Sequence, residues 1–469
     1  MTAALGVLAL LLAGTLAASP ADEDADLARI PDSPATTGAV PPVNLAPAAA
    51  PIAHAAGHGR LYLEDALTLA ARRTPVVPFP PPPPYAWQNR ASADLVAEWL
   101  AGRMVKLVLS DRVDVVAQQD VAWSLRSTIR NELREAYASW NPRAGLYLEA
   151  GRINVRNGVA LGFNPTDVFR PRTLVGQASL DPSVLSRNRL GTLMLRAQAI
   201  GERGAVSIVY APMLFEPSAV TADRSGVNPR FDATNAAHRV LASAGGNAGD
   251  VSVQGMAYFE PHRSKVGLAL TRPVGPSVVA YVEWTLGHEA PLTARAIEDG
   301  RQTGAIPADA PPPLPIDPAL GWRNDLAAGG SWTIGTRLTL NAEYHFHQGA
   351  LTESDWTHWF AAGRASPQAA PELWYIRGYA ADQLEPASQH NAFVRLAWPN
   401  AGLADLELDG FAFINLRDGS ILTQTSAIYT LSDRWTLTLS FGATIGSAES
   451  ERGSLPQAGS IIAELVAYL

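Results

Sequence analysis

From about residue 103 to its C-terminus this chain alternates apolar and polar residues in runs too long for ordinary soluble strands. In "TRLTLNAEYHFHQ", starting at Thr336, the residues Leu338, Leu340, Ala342, Tyr344 and Phe346 share one face, and Arg337, Thr339, Asn341, Glu343, His345 and His347 share the other. In "RWTLTLSFGATIG", starting at Arg434, Trp435, Leu437, Leu439, Phe441, Ala443 and Ile445 oppose Thr436, Thr438, Ser440, Gly442 and Thr444. Successive side chains of a strand point to opposite faces, so each run is a strand with one apolar and one polar side. Soluble strands average roughly 5–6 residues, whereas strands that cross a membrane in a barrel need about ten. The pattern therefore predicts an all-β fold, a transmembrane antiparallel β-barrel with lipid outside and a polar lumen. Trp140, Trp284, Trp322, Trp398, Trp435 and Tyr468 fall near strand ends, where the membrane interfaces favour aromatic side chains.

Sixteen strands are expected, near 103–114, 120–139, 144–153, 190–200, 205–214, 235–244, 249–258, 263–272, 277–287, 321–333, 336–347, 389–398, 404–416, 420–431, 434–446 and 459–469. With this order every long connection (154–189, 215–234, 288–320, 348–388 and 447–458) falls at one end. The opposite end carries short turns such as "NPRA", "GERG" and "SDR". Bacterial barrels show that asymmetry, with short periplasmic turns and long extracellular loops. The segment 235–244 has the weakest pattern, and 14 or 18 strands would also keep the count even. A soluble sandwich or propeller would show short, regularly spaced strands or a blade repeat, and neither is present. The closing "SIIAELVAYL" is similar to the final strand read by the barrel assembly machinery, with Leu469 where Phe is usual.

Before residue 103 the pattern differs. "MTAALGVLALLLAGTLAASPADEDAD" reads as a signal peptide over residues 1–18, with an apolar stretch, then small residues, Pro20 and acids, but no basic residue ahead of it. Residues 19–102 are expected to form an Ala/Pro-rich periplasmic linker with two short helices or a small plug, the barrel starting at 103. The helices are "LYLEDALTLAARR" at 61–73, with Arg72 and Arg73 at its C-terminal end, and "ASADLVAEWLAG" at 91–102, capped by Ser92. Between them Pro80–Pro84 prescribe a polyproline II rod, either a spacer or a docking strut for a periplasmic partner. The absence of Cys removes disulfides, cysteine zinc sites and thiol catalysis. It also suits an envelope protein that crosses the periplasm unfolded. No internal apolar run reaches the roughly 18 residues of a membrane helix, and a net charge of −8 gives no ground for nucleic acid as a partner.

The stretch "LREAYASW…YLEAGRINVRNGVALGFNPTDVF" resembles outer-membrane β-barrels of the alginate-export type and related proteobacterial porin-like families. The matching positions are the Gly151–Arg152 step and Gly162, Asn164, Pro165, Thr166 and Asp167, within residues 131–170. The resemblance implies transport rather than chemistry. Locally, Asn164 before Pro165 makes an Asx-type turn and Asp167 caps the next turn, a compact loop motif in its own right. Folded inward, the same loop would form a pore constriction from Arg152, Arg156, Asn164, Asp167, Arg170 and Arg172.

If the apolar faces meet lipid, the opposite faces line the lumen with Arg196, Lys265, Glu283, Arg323, Asp325, Arg337, Glu343, His345, Arg395, Asp405, Glu407, Asp409, Arg434 and Glu464. Such residues either set ion selectivity or pair across strands for stability. His345 and His347 share a strand face, yet no third metal ligand accompanies them, and His238 and Ser243 lack the spacing of a hydrolase. The aromatic segment holding Trp356, Trp359, Trp374, Tyr375 and Tyr379 is either a surface that stacks ligands or a lid packed on itself. The expected function is an outer-membrane channel without enzymatic activity or cofactor, passing a small or oligomeric solute, as part of an export system in one form of the reading. The alternative is a structural barrel with a closed pore that binds a periplasmic partner through its Pro-rich segment. Expected partners are outer-membrane lipid, lipopolysaccharide, the barrel assembly machinery, and a periplasmic or inner-membrane export component.

Overall fold

The computed structural model describes residues 57–80, 85–121, 128–176, 180–181, 185, 188–220, 225–335 and 337–469. Eighteen strands form one closed antiparallel sheet. In chain order they are β1 His58–Arg72, β2 Trp87–Ala101, β3 Val105–Gln118, β4 Ile129–Arg143, β5 Leu146–Ile153 and β6 Thr192–Gly201. There follow β7 Gly204–Ala211, β8 Arg239–Ala248, β9 Val251–Glu260, β10 Arg263–Val274, β11 Val278–Glu289 and β12 Gly321–Ile334. The last six are β13 Leu338–His347, β14 His390–Trp398, β15 Leu406–Asn415, β16 Ile421–Ser432, β17 Trp435–Ile445 and β18 Gln457–Tyr468. A two-residue strand, Gly226–Val227, pairs in parallel with the β4 edge that the short β5 leaves open.

All sixteen expected strands are present as β3–β18, the weakly patterned 235–244 included. The count is nonetheless eighteen. The two segments expected as helices, 61–73 and 91–102, are β1 and β2, and the barrel starts at His58 instead of 103. Their Ala, Leu and Glu residues favour helix intrinsically, but each segment has a ladder on both sides, which overrides propensity. β1 pairs with β2 and closes the barrel against β18, with Tyr62 opposite Tyr468. Leu61, Leu63, Leu67 and Leu69 then face outward while Glu64, Ala66 and Thr68 face in. The expected signal peptide and residues 19–56 of the expected linker lie outside the described residues.

Nine connections lie at each barrel end if the closing termini are counted with the short turns. The long ones, after β1, β5, β7, β11, β13 and β17, share one end. The proline run belongs to the β1–β2 connection at this loop end, opposite the chain termini. Pro81–Pro84 are outside the described residues, but their flanks are not. Val77 enters the core of a helical cap, and Pro78 accepts a hydrogen bond from the Trp374 indole at 3.0 Å.

That cap is built by the loops themselves. The β7–β8 connection holds one short turn of helix, α1 Phe231–Thr234. The cap proper consists of α2 Leu292–Gln302, α3 Glu353–Ala365 and α4 Ala370–Asp382. α3 starts at a reciprocal capping box between Thr352 and Asp355. Leu292, Ile297, Trp356, Trp359, Leu373 and Ile376 bury their side chains together, so the aromatic segment is a lid packed on itself. Arg377 stacks on three indoles, Trp356, Trp359 and Trp374, and donates to Ser454 Oγ and the Glu451 carbonyl, tying the lid to the β17–β18 loop.

Candidate functional site

After Ile153 the chain leaves the wall and turns into the barrel. Two inward carboxylates at mid-strand receive it, Glu283 of β11 and Glu343 of β13. Glu283 accepts from the backbone N–H groups of Val159 and Ala160 and from the Thr166 hydroxyl at 2.7 Å. Glu343 accepts from Leu161 N at 2.7 Å, Gly162 N at 2.9 Å, the Tyr281 hydroxyl and the His345 ring. Unpaired backbone N–H groups inside a protein are costly, and here ionisable acceptors satisfy four in a row. Gly162 is required by the approach: a Cβ there would stand 2.6 Å from His345 Cε1 and 2.7 Å from Phe393 Cγ.

The Asn-Pro turn forms as expected, with one difference in detail. Asn164 Oδ1 accepts from Asp167 N at 3.0 Å, three residues on, and from the Thr166 hydroxyl. Asp167 does not cap the following turn; its carboxylate grips Arg189 at 2.7 and 3.1 Å. Val168 and Phe169 anchor the segment in an apolar cluster with Met194, Val209, Leu241 and Tyr258.

The four arginines expected at the constriction are not equivalent. Arg152 is buried in the wall, donates to the carbonyls of Gly191 and Pro229, and lies over the Phe231 ring. Arg156 is solvent-exposed. Arg172 is fixed between Asp299 of α2 and Asp382 of α4, at 2.6 and 3.2 Å. Burial nevertheless pushes the Asp299 carboxyl above its usual range. The Arg170 guanidinium stands over the Phe163 ring, 4.5 Å from its centroid, and makes no hydrogen bond or ion pair to a described residue. It borders a small cavity with Asp167, Tyr258, Lys265 and Glu385.

Of the residues expected in the lumen, Lys265, Glu283, Asp325, Glu343, His345, Arg395, Glu407, Asp409, Arg196 and Glu464 belong to inward strand faces. Arg323 donates to the Glu289 carbonyl at the loop end. Arg337, Asp405 and Arg434 do not line the lumen; they are exposed in the short turns before β13, β15 and β17. Those strands begin one or two residues later than alternation alone suggests; Asp405 with positive φ and the two-residue Asp433–Arg434 turn take up first positions of two of them. Most lumen charges are paired: Arg196 with Glu149, Arg395 with Asp181 and Asp409, and Lys265 with Glu289 and Asp325. Each imidazole of the His345/His347 pair is also held by a carboxylate, Glu343 at 2.7 Å and Asp325 at 2.6 Å.

Two clusters went unread in the sequence. On β1–β4, Glu64, Arg90, Asp94, Arg112, Asp114 and Arg134 form an inward network, with Glu64 to Arg90 at 2.7 Å and Arg112 to Asp114 at 2.8 Å. Reading β1 and β2 as helices hid it. At the loop end Glu385, just past α4, receives Arg263 and Arg295, both at 2.5 Å. Burial opposes ionisation of Glu385, but these guanidiniums prevail and hold its carboxyl well below the usual range. No local motif marks Glu385, whose partners come from β10 and α2.

No family model matches the sequence, and no curated protein does. Solved structures do resemble the fold. OccK8 (OprE) of Pseudomonas aeruginosa superposes with a TM-score of 0.51 at 10% identity, over 88% of this chain and 98% of its own. OccK2 (OpdF) of the same organism, in complex with glucuronate, gives 0.51 at 10% identity over the same shares. OpdK with vanillate, also from Pseudomonas aeruginosa, gives 0.50 at 10% over 88% and 98%. These neighbours are porin-type barrels, and the narrower resemblance to alginate-export barrels is not what they share with this chain. Closed, apolar outside and polar within, the chain has the porin-type fold of the bacterial outer membrane.

Proposed function

We propose that the protein is an outer-membrane channel for small polar solutes that carry an anionic group, with the segment 158–170 as its constriction. The observation that carries this reading is the binding of residues 159–162 to Glu283 and Glu343, two mid-strand residues of the inner wall. A loop fixed at that depth narrows the lumen, the arrangement by which barrels sieve solutes. Arg170 supports the anionic preference, since its guanidinium keeps its charge and is not committed to an ion pair among the described residues. Two similar barrels were crystallised with the carboxylates glucuronate and vanillate, which favours the same solute class here.

On this reading the loop end faces outward, in contact with lipopolysaccharide, and the assembly machinery inserts the barrel. The closed docking barrel is disfavoured, because its proposed strut belongs to the β1–β2 connection at the loop end. An export role draws no support from these neighbours. The test is solute entry into liposomes carrying the purified barrel. Glucuronate should enter faster than a cationic solute of equal size, and Arg170→Gln should narrow the difference. Equal rates would remove the anionic preference, and no entry of any solute would remove the channel.

A further inference from the structure

The outward face of β1–β4 departs from the rule that the rest of the barrel keeps. Asp65 is the eighth of fifteen residues in β1, and Asp111 the seventh of fourteen in β3. Both alternate with inward residues, Glu64 and Arg112, and share their outward faces with Leu63, Leu67, Leu109 and Val113. Among the described residues they are the strand acids that face out. Each is met from the next strand by an asparagine. Asn89 Nδ2 of β2 donates to Asp65 at 2.8 Å, and Asn131 Nδ2 of β4 donates to the two Asp111 oxygens at 2.9 and 3.0 Å. One arrangement thus occurs twice on adjacent strand pairs, at mid-strand, where lipid would supply no donor and a carboxylate is costly to keep.

We infer that this face is an interface within the membrane and that a second copy of the chain occupies it through the same face. Asp65 Oδ2 and the second N–H of Asn89 have no partner among the described residues. The pair therefore offers both a donor and an acceptor and is complementary to itself, as a two-fold contact requires. In the dimer Asp65 keeps its own asparagine and gains a donor from Asn89 of the other copy. Ala91 and Ala93 of β2 and Ala136 and Ala138 of β4 lie on the same outward faces, and small side chains let two walls come close where no hydrophobic drive separates protein from lipid. For Asp65 a cation from elsewhere on this chain is a poorer match: Arg272, outward on β10, is bound to Asp250 at 2.9 Å.

The chain contains no Cys, so a single introduced thiol reports its own neighbourhood. Ala93 lies at the middle of the face, opposite Leu63 of β1 and Val113 of β3. Ala242 of β8 faces outward on another part of the wall. Full-length Ala93→Cys and Ala242→Cys variants are oxidised or treated with a bis-maleimide in intact outer membranes, then run on non-reducing gels. Ala93→Cys should give a species of twice the chain mass and Ala242→Cys should not. Adding Asp65→Leu and Asp111→Leu should lower the yield about tenfold, while heat-modifiable migration confirms a folded barrel. The inference is overturned by no adduct at Ala93→Cys, by equal adducts at both positions, or by a yield indifferent to the leucines. An adduct of any other mass would mean that a different protein covers the face.

Discussion

Replacing Glu283 with Ala should release the inward loop while leaving the barrel closed. The side chain accepts from two backbone N–H groups, Val159 and Ala160, and from the Thr166 hydroxyl. Hydrogen bonds to a charged group contribute about 1.5–3 kcal/mol each, and donors left unsatisfied cost a similar amount. Because the three bonds share one acceptor and water can reach the released segment, their sum overstates the loss. About 3 kcal/mol for docking of 158–166 is the working figure, which multiplies the undocked population about a hundredfold. Residues 167–169 should stay in place, since Asp167 is held by Arg189 and Phe169 by the apolar cluster. Hydrogen exchange followed by mass spectrometry reads this directly: amides 159–162 should lose protection, and those of β11 and β13 should keep it. Glu283→Gln, which retains one acceptor oxygen, should fall between wild type and Ala. Unchanged protection of 159–162 in a heat-modifiable Glu283→Ala barrel would refute the clip.

Gly162→Val should also expel the loop, at about 1–3 kcal/mol, because its Cβ would overlap His345 and Phe393; the same exchange experiment checks it. Arg377→Leu leaves an apolar chain among three indoles but removes the donors to Ser454 and Glu451, so the near-UV tryptophan signal of the cap should melt before the barrel does, by about 2–4 kcal/mol of lost local stability. Glu385 sets a pH limit on the cap. Its carboxyl is lower in the folded protein than in the unfolded chain, so its stabilisation is complete above the ordinary carboxylate range and is lost as pH falls below it. Protection of α4 should therefore be flat from about pH 8 to about pH 5 and decline in stronger acid, and Glu385→Gln should abolish that dependence.

Alternation made the wall legible from β3 onward, because a mid-membrane strand has no choice about which face meets lipid. It failed on β1 and β2 because both are built largely from Ala, Leu and Glu rather than β-branched residues, which favours helix locally. Loop lengths and the Asn164-Pro165 turn were local signals and were read as such. The partners of Arg152, Arg172 and Arg189 were not, since Pro229, Asp299, Asp382 and Asp167 reach them only through the tertiary fold. Four arginines near one turn therefore resembled a cluster, although three different environments hold Arg152, Arg170 and Arg172. The lid stood as one of two alternatives because the segment's aromatic content, from Trp356 to Tyr379, fits a binding surface as well as a packed core.

Single-channel recording in planar bilayers tests the central claim most directly. The purified, heat-modifiable barrel should insert with discrete, uniform conductance steps. In a salt gradient its reversal potential should lie on the anion-selective side and move toward zero with Arg170→Gln. A folded barrel that inserts but passes no current, with the inward loop released by Glu283→Ala as well as in place, would contradict the account.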